Sequence, residues 1–368
     1  MDADLTNFKQ WYSFTAMKNE DFLQLAAKIK SWGLELGFQQ IGITDTGLDA
    51  AETRMDEWLK AGHHGDMEYM ASHGHKRSRP QDLVPGTISV ISARMDFLPP
   101  DTNPESVLDD HNLAYVSRYA LGRDYHKLIR NRLQKLAKRI RDEIGEYSYR
   151  VFTDSAPVLE KPLAEKAGLG WTGKNSLLVN RSAASWFFLG EIFTDLPLPM
   201  DTPEQNHCGT CDRCMVECPT KAIVAPYEVN ARLCISYLTI ELKGSIPEEL
   251  RPLMGNRIYG CDDCLLACPW NRFASPSSEQ DFLPRNRLDA PDLIELFAWS
   301  EEEFLKRLEG SAIRRIGHES WLRNIAVALG NAETSDQVIA ALQRRLTHQS
   351  ELVREHVAWA LNQHIKTQ

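Results

Sequence analysis

Apolar positions recur at helical spacing from Met17 onward. Phe22, Leu25, Ala26, Ile29, Trp32 and Leu36 share one face of MKNEDFLQLAAKIKSWGLELGF, which predicts an amphipathic helix. Helical and strand patterns then alternate to about residue 200. TISVISARMDF (87–97) follows a Pro85-Gly86 turn and is rich in β-branched and apolar residues, as a buried strand is. DYHKLIRNRLQKLAKRIRDEI (124–144) gathers leucine and isoleucine on one helical face. VLEKPLAEKAG (158–168) reads as a helix, SLLVN (176–180) as a strand and SWFFLGEIFTDLPL (185–198) as a strand region. From residue 282 to 368 the pattern is almost wholly helical. There Ile325-Ala-Val-Ala-Leu-Gly-Asn331 recurs as Val357-Ala-Trp-Ala-Leu-Asn-Gln363, which suits stacked helical hairpins of the HEAT type and an ordinary helical bundle equally.

These patterns predict an α+β protein: an α/β domain over 17–200, a small unit over 201–275 and a helical, HEAT-like repeat domain over 276–368. Residues 1–16 look unlike the rest of the chain and are expected to be a disordered leader, with Met17 a candidate start. Composition changes little, since 43% hydrophobic and 25% charged residues are ordinary for a globular protein. No apolar run approaches the roughly 18 residues a membrane helix needs, and no export signal is recognisable, so a cytoplasmic monomer with no membrane partner is expected. A net charge of −9 argues against a uniformly basic nucleic-acid binder but leaves room for a local basic face. Residues 123–141 supply one candidate, with Arg123, Lys127, Arg130, Arg132, Lys135, Lys138, Arg139 and Arg141.

The chemistry concentrates in the small unit. All eight cysteines fall between Cys208 and Cys268, a clustering that suits reduced, metal-binding thiols better than a disulfide scaffold. Cys208-x2-Cys211-x2-Cys214-x3-Cys218-Pro219 has the spacing of bacterial two-cluster ferredoxins, where the fourth cysteine crosses to the other cluster. The second run, Cys261-x2-Cys264-x3-Cys268-Pro269, lacks its first cysteine because Ile258 stands there, and Cys234 can fill the gap. Cluster one is therefore assigned to Cys208, Cys211, Cys214 and Cys268, and cluster two to Cys218, Cys234, Cys261 and Cys264. Zinc is the bland alternative for CxxC pairs, but the Cys-Pro run and its crossover partner favour two 4Fe–4S clusters.

Two other motifs fail on context. Gly168-Leu-Gly170-Trp-Thr-Gly173 matches GxGxxG, and with Lys174-Asn175 it nearly matches a P-loop. Both motifs need a strand before and a helix after, and here that order is reversed. Asp124-Tyr-His126 resembles the start of a cobalt-ligating DxHxxG signature, but the glycine is missing and the segment is helical. His126 then reads as a histidine on a helix face.

With the cysteine spacing, Tyr115-Val-Ser-Arg-Tyr-Ala-Leu-Gly-Arg-Asp-Tyr-His126 and Asp154-Ser-Ala-Pro-x-Leu-Glu-Lys-Pro-Leu-Ala-Glu-Lys-Ala-Gly-Leu-Gly-Trp-Thr-Gly-Lys174 resemble the epoxyqueuosine reductases. Cys234-Ile-Ser-Tyr-Leu-Thr-Ile-Glu241 and Arg251-Pro-Leu-Met-Gly-Asn-Arg-Ile-Tyr-Gly-Cys261 extend the resemblance, which covers the chain from about Met17 onward. It implies an oxidoreductase using cobalamin and two 4Fe–4S clusters to remove the epoxide oxygen of epoxyqueuosine at the tRNA wobble position, the last step of queuosine synthesis. An external low-potential donor of flavodoxin or ferredoxin type would supply the electrons. Residues 17–200 become a cobalamin-binding catalytic domain. A corrinoid reductive dehalogenase of a small organohalide and a ferredoxin-like electron carrier are the competing classes.

The resemblance also assigns roles. Asp154 matches the family's proton donor, for which it should be protonated near neutral pH; capping preference alone makes it the N-cap of the following helix. Arg77, Ser117, Tyr125, Asp154, Lys174, Asn175, Ser176 and Ser236 are the expected cobalamin contacts. Arg251, Arg257, Lys127, Arg315 and Arg323 are the expected tRNA contacts. Glu160 and Glu165 read as solvated helix residues.

Overall fold

A computed structural model of the protein describes residues 17–100 and 102–366, so the expected leader over 1–16 lies outside the described residues. The chain opens with α1 (Asn19–Glu35), β1 (Gln40–Thr44), α2 (Asp49–Lys60), the single turn α3 (Pro80–Leu83) and β2 (Ser89–Asp96). After α4 (Pro104–Asp109) and β3 (Tyr115–Val116) comes the long helix α5 (Tyr125–Ile144). Next come β4 (Tyr149–Phe152), α6 (Glu160–Lys166), the hairpin β5 (Trp171–Thr172) and β6 (Leu178–Val179), and β7 (Phe187–Thr194).

Strands β1, β2, β7 and β4 form one sheet in that order, and every neighbouring pair is antiparallel. The α/β expectation for residues 17–200 is thereby corrected to α+β. Each pair lies head to tail, whereas a parallel pair would need its chain carried back by a crossover. Alternation along β7 then assigns its side chains. Phe188 and Ile192 join the core made with α1 and α5, while Phe193 joins Leu163 of α6 on the other face. Gly190 lets α5 lie close, because a Cβ there would stand 2.8 Å from both Ile129 and Leu133. Glu191, between them in sequence, therefore points to the α6 face.

The cysteine-bearing segment contains α7 (Arg213–Val216), the hairpin β8 (Ile223–Ala225) and β9 (Glu228–Val229), α8 (Ile235–Ile240), β10 (Arg257–Tyr259) and α9 (Asp263–Leu266). It is sewn into the first unit: β10 pairs in parallel with β3. Buried Asp262 accepts hydrogen bonds from Tyr115 Oη (2.9 Å), Ser117 Oγ (2.6 Å) and the Arg118 backbone N–H (2.8 Å).

The last unit comprises α10 (Leu293–Ala298), α11 (Glu301–Arg307), α12 (Gly317–Gly330), α13 (Asp336–Gln343) and α14 (Glu351–Lys366). Asp292, Ser300 and Ser335 cap three of these helices through their side chains. The repeated segments fall on α12 and α14, which touch where Gly330 meets Trp359 and Ala360. Helix α12 is buried almost throughout, and its Asn324 bonds the carbonyls of Thr239 and Ile258. Among the described residues no helix is long and apolar enough to cross a membrane.

Candidate active site

The eight thiols gather into two neighbouring groups. Cys214 feels Cys208, Cys211 and Cys268, while Cys264 feels Cys234 and Cys218, and Cys261 feels Cys234 and Cys264. These are the two quartets drawn from the spacing. Four thiolates in each group is the ligand number that a 4Fe–4S cluster takes. A cavity of about 310 Å³ lies elsewhere; the one of about 240 Å³ is lined by Cys208, Cys211, Cys214 and Cys268, together with Lys174 and Trp270. Cys211 is exposed and Cys218 buried, which makes quartet one the outer and quartet two the inner. Backbone N–H groups of Ser236 and Tyr237 bond the Cys234 sulfur, and the Ala222 N–H bonds Cys218 Sγ at 3.2 Å. Hydrogen bonds of this kind tune a cluster's potential.

Asp154 occupies a loop between β4 and α6 with a left-handed backbone, φ 53°. The helix starts only at Glu160, capped from Leu159, so Asp154 is not its N-cap. Its carboxylate receives the Tyr125 hydroxyl at 2.5 Å and stands 3.1 Å from His126 Nε2. His126 Nδ1 lies 2.6 Å from Asp124 Oδ1. Helix α5 delivers both donors from its first turn, and Tyr125 is held by stacking on Phe188 with centroids 3.8 Å apart. His126, a bystander on a helix face by sequence alone, is thus a principal member of the site.

The electrostatics correct a second expectation. Burial raises the Asp154 pKa, but hydrogen bonds from His126 and Tyr125 outweigh it, and the net direction is down. The unliganded protein therefore carries Asp154 as a carboxylate. For His126, burial lowers the pKa, yet Asp124 and Asp154 together lift it from 6.5 to about 9. At neutral pH the proton sits on the imidazole, one hydrogen bond from Asp154. Half of the Asp154 side chain stays open within this recess, so a ligand can reach it.

Glu160 and Glu165 are partly buried and engaged rather than free on a solvated face. Glu160 Oε1 accepts the Asp154 backbone N–H at 2.7 Å, and its carboxyl meets that of Glu191 on β7. Glu165 accepts Thr172 N–H and Oγ1 at 2.8 and 2.7 Å, fixing the β5–β6 hairpin. Lys161 reaches the Ser176 carbonyl at 2.7 Å and feels Glu160, Asp154 and Cys264. One ammonium thus lies within electrostatic range of both Asp154 and the inner quartet. Tyr69 similarly feels Glu241, Arg315, Asp154 and Arg77, placing those groups around the same space. A GxGxxG search could not have found Lys161; only the turn of α6 toward the hairpin reveals it.

The remaining expected residues divide. Arg77 is buried near Tyr69, donates Nη2 to the Tyr69 carbonyl at 2.7 Å and leaves Nε without a partner. Ser176 takes a left-handed backbone and donates to the Tyr227 carbonyl at 2.8 Å. Ser117 is withdrawn from direct ligand contact, because it is buried and its hydroxyl is committed to Asp262. Lys174 and Asn175 face the quartets, with Asn175 Nδ2 3.4 Å from the Cys264 carbonyl.

Three expected phosphate-binding arginines are corrected. Arg251 is 1% exposed and bonds Ile246 O, Ser245 Oγ and Glu355. Arg323 is fully buried, bonding the carbonyls of Leu238, Leu242 and Gly244. Arg257 forms a bidentate pair with Asp263 at 2.6 and 2.5 Å, beside Cys261. All three fasten chain segments. Lys127 and Arg315 are exposed, and Arg315 is ion-paired to Glu241. With Arg314, Tyr119, Asp124 and His126, Arg315 lines the cleft of about 310 Å³ that opens beside Asp154.

Comparison with known proteins agrees with this geometry. Residues 77–155 match the family described as epoxyqueuosine reductase QueG, DUF1730, and residues 207–271 match a 4Fe-4S double cluster binding domain. The epoxyqueuosine reductase of Pseudomonas aeruginosa is 61% identical over 348 residues, covering 94% of this chain and 96% of that protein. That of Escherichia coli is 62% identical over 346 residues, covering 94% and 91%. Among solved structures, an epoxyqueuosine reductase with an epoxyqueuosine-modified tRNA-Tyr stem loop superposes with a TM-score of 0.85 at 26% identity, covering 92% of this chain and 90% of the other. A Bacillus subtilis epoxyqueuosine reductase, with its catalytic aspartate loop swung out of the active site, gives 0.82 at 27% identity and the same coverages.

Proposed function

The chain belongs to the epoxyqueuosine reductase family, and from that premise we propose that it reduces epoxyqueuosine to queuosine in tRNA. The balance is one epoxide, two electrons and two protons in, one alkene and one water out. The observation that carries this reading is the meeting of a proton site with an electron route. Asp154, paired with His126, stands within the electrostatic range of Lys161, which also feels Cys264 of the inner quartet.

Residues near Asp154 fit a large cofactor edged with amide carbonyls and carrying a phosphate, because they offer hydrogen-bond donors. Arg77 Nε is buried without a partner, and Lys161 and Ser176 border the same space. Arg77, Lys161, Ser176 and Tyr125 would hold cobalamin, with Ser236 close by on the cluster side. When bound, the two 4Fe–4S clusters carry electrons inward singly and cobalamin delivers them as a pair to the epoxide carbon–oxygen framework.

The chain's own residues manage the protons. Covering the open half of Asp154 with cofactor and substrate removes water and raises its pKa. The carboxylate then draws a proton from His126 and passes it to the epoxide oxygen as the C–O bond breaks. Tyr125 keeps the receiving oxygen in place, and Asp124 stabilises the imidazolium until transfer. A second cycle of the same relay protonates the departing hydroxyl as water.

The cleft lined by Arg314 and Arg315, with Lys127 nearby, supports an anticodon-loop phosphate path. Exposed Cys211 supports entry of electrons from a flavodoxin- or ferredoxin-type donor at the outer cluster. We read residues 276–368 as a HEAT-like unit that carries Arg314 and Arg315, and the protein as a cytoplasmic monomer. The test is conversion of epoxyqueuosine tRNA by anaerobically isolated, reduced protein. The nucleoside should lose one oxygen by mass, in a reaction dependent on added cobalamin. Intact epoxyqueuosine with fully loaded protein would refute it.

A further inference from the structure

Behind Asp154 lies a carboxyl pair that the proton relay does not use. Glu191 projects from the middle of β7 toward α6 with none of its surface exposed, and no donor among the described residues reaches either oxygen. Glu160, the first residue of α6, stands within hydrogen-bonding reach. Two bare carboxylates placed so, one fully buried and the other partly, repel; one proton between them converts that repulsion into a hydrogen bond. Glu160 also works forward, its Oε1 accepting the Asp154 N–H at 2.7 Å. That bond braces Asp154 in its left-handed backbone, φ 53°, a conformation that aspartate tolerates better than most side chains but that still costs it something to hold.

We infer that Glu191, Glu160 and the Asp154 N–H form a latch: Glu191 keeps a proton and donates it to Glu160, whose free oxygen seats the loop over residues 153–159 with Asp154 turned into the site. The inference rests on the reading of Asp154 as proton donor and adds two positioning residues to it. The charged groups facing the pair are Asp154, His126 and Lys161. Burial, together with the negative charge each carboxyl meets, pushes both upward, so at least one proton stays at neutral pH. Loss of that proton would drive Glu160 from Glu191 and free the loop. The swung-out catalytic loop of the Bacillus subtilis relative is the kind of state the latch would oppose here.

The test is hydrogen–deuterium exchange over residues 153–159 in full-length, cluster-loaded protein, with kcat and KM for tRNA measured alongside. Glu160→Ala removes the acceptor: the Asp154 amide should exchange about ten- to a hundredfold faster, the factor a hydrogen bond to a charged group is worth. Its kcat should fall while KM for tRNA holds. Glu191→Leu should loosen the loop similarly, and Glu191→Gln, whose amide donates without titrating, should restore the protection. An infrared difference spectrum of parent against Glu191→Gln should show a protonated-carboxyl band in the parent alone. Unchanged exchange in Glu160→Ala, or absence of that band, overturns the latch. Both measurements decide even if Glu191→Leu fails to fold. Asp154→Asn separates the two readings, since turnover surviving in it removes Asp154 as donor and leaves the loop measurements standing.

Discussion

Replacing His126 with asparagine asks where the proton is kept. Moving an imidazole from 6.5 to about 9 corresponds to about 3 kcal/mol of preference for its charged form, at about 1.4 kcal/mol per tenfold. Asp154 is half open to solvent, so screening trims this to about 2 kcal/mol. In the parent the reserve proton is present at neutral pH and is lost as pH rises through about 9. In His126→Asn that reserve is gone, and only Asp154 itself can hold the proton. Turnover should therefore fall with rising pH well before 9. Parent and variant should differ least near pH 6 and by roughly tenfold or more near pH 8.5, the size expected of general acid catalysis impaired at one partner. KM for tRNA and the iron–sulfur absorption should not move. The same linkage sets stability: the charged imidazole contributes fully below 6.5 and loses its contribution as pH rises through about 9. The melting-temperature gap, a few degrees for a chain of this size, should be widest near pH 6 and close by pH 10. Parallel pH–rate profiles with a constant offset would refute the reservoir.

Asp154→Asn should lower kcat by about 10²- to 10⁴-fold while the cluster spectrum persists, and near-parental turnover would end its role as donor. Cys208→Ala and Cys261→Ala should each remove about half of the bound iron, because each belongs to a different quartet; an equal loss of all iron from both would contradict the partition. Lys127→Ala should reduce the salt slope of tRNA binding by about one. Arg251→Ala should leave that slope alone and instead cost about 1–3 kcal/mol in denaturant unfolding, by stripping the donor from the Ile246 carbonyl and from Glu355. Gly190→Val should destabilise by about 1–3 kcal/mol through overpacking against Ile129 and Leu133, and an unchanged denaturation midpoint would show that α5 can step back.

Local signals carried much of the architecture. The periodicity over 124–144 became α5 with its ends nearly unmoved, and the β-branched run at 87–97 became β2, because both segments bury a face whose spacing is written locally. The quartets were readable for a similar reason: ligand spacing is a short-range property. Strand direction was not readable, since nothing in β1 or β7 encodes which neighbour it meets. The proton site failed locally for the same cause. Asp154 precedes a helix and looks like a cap, but the helix waits until Glu160, and His126 joins Asp154 only because α5 crosses the sheet beside β4. Glu191 sits in an apolar run, and its meaning appears only opposite Glu160. Basic residues were the poorest guide: Arg251 and Arg323 have the same letters as surface arginines, and only burial shows them fastening neighbouring segments of the chain.

Asp262 lies between two inner-quartet cysteines and accepts three hydrogen bonds from residues 115–118, a few positions before Tyr125 and His126. The iron-binding segment is consequently no detachable cassette that could be grafted onto another scaffold or lost with little harm. Oxidative loss of the inner iron would disturb the footing of the proton relay as well as the supply of electrons. Recovery after exposure to oxygen would then demand refolding around Asp262, and restoring iron and sulfide alone would return colour sooner than turnover.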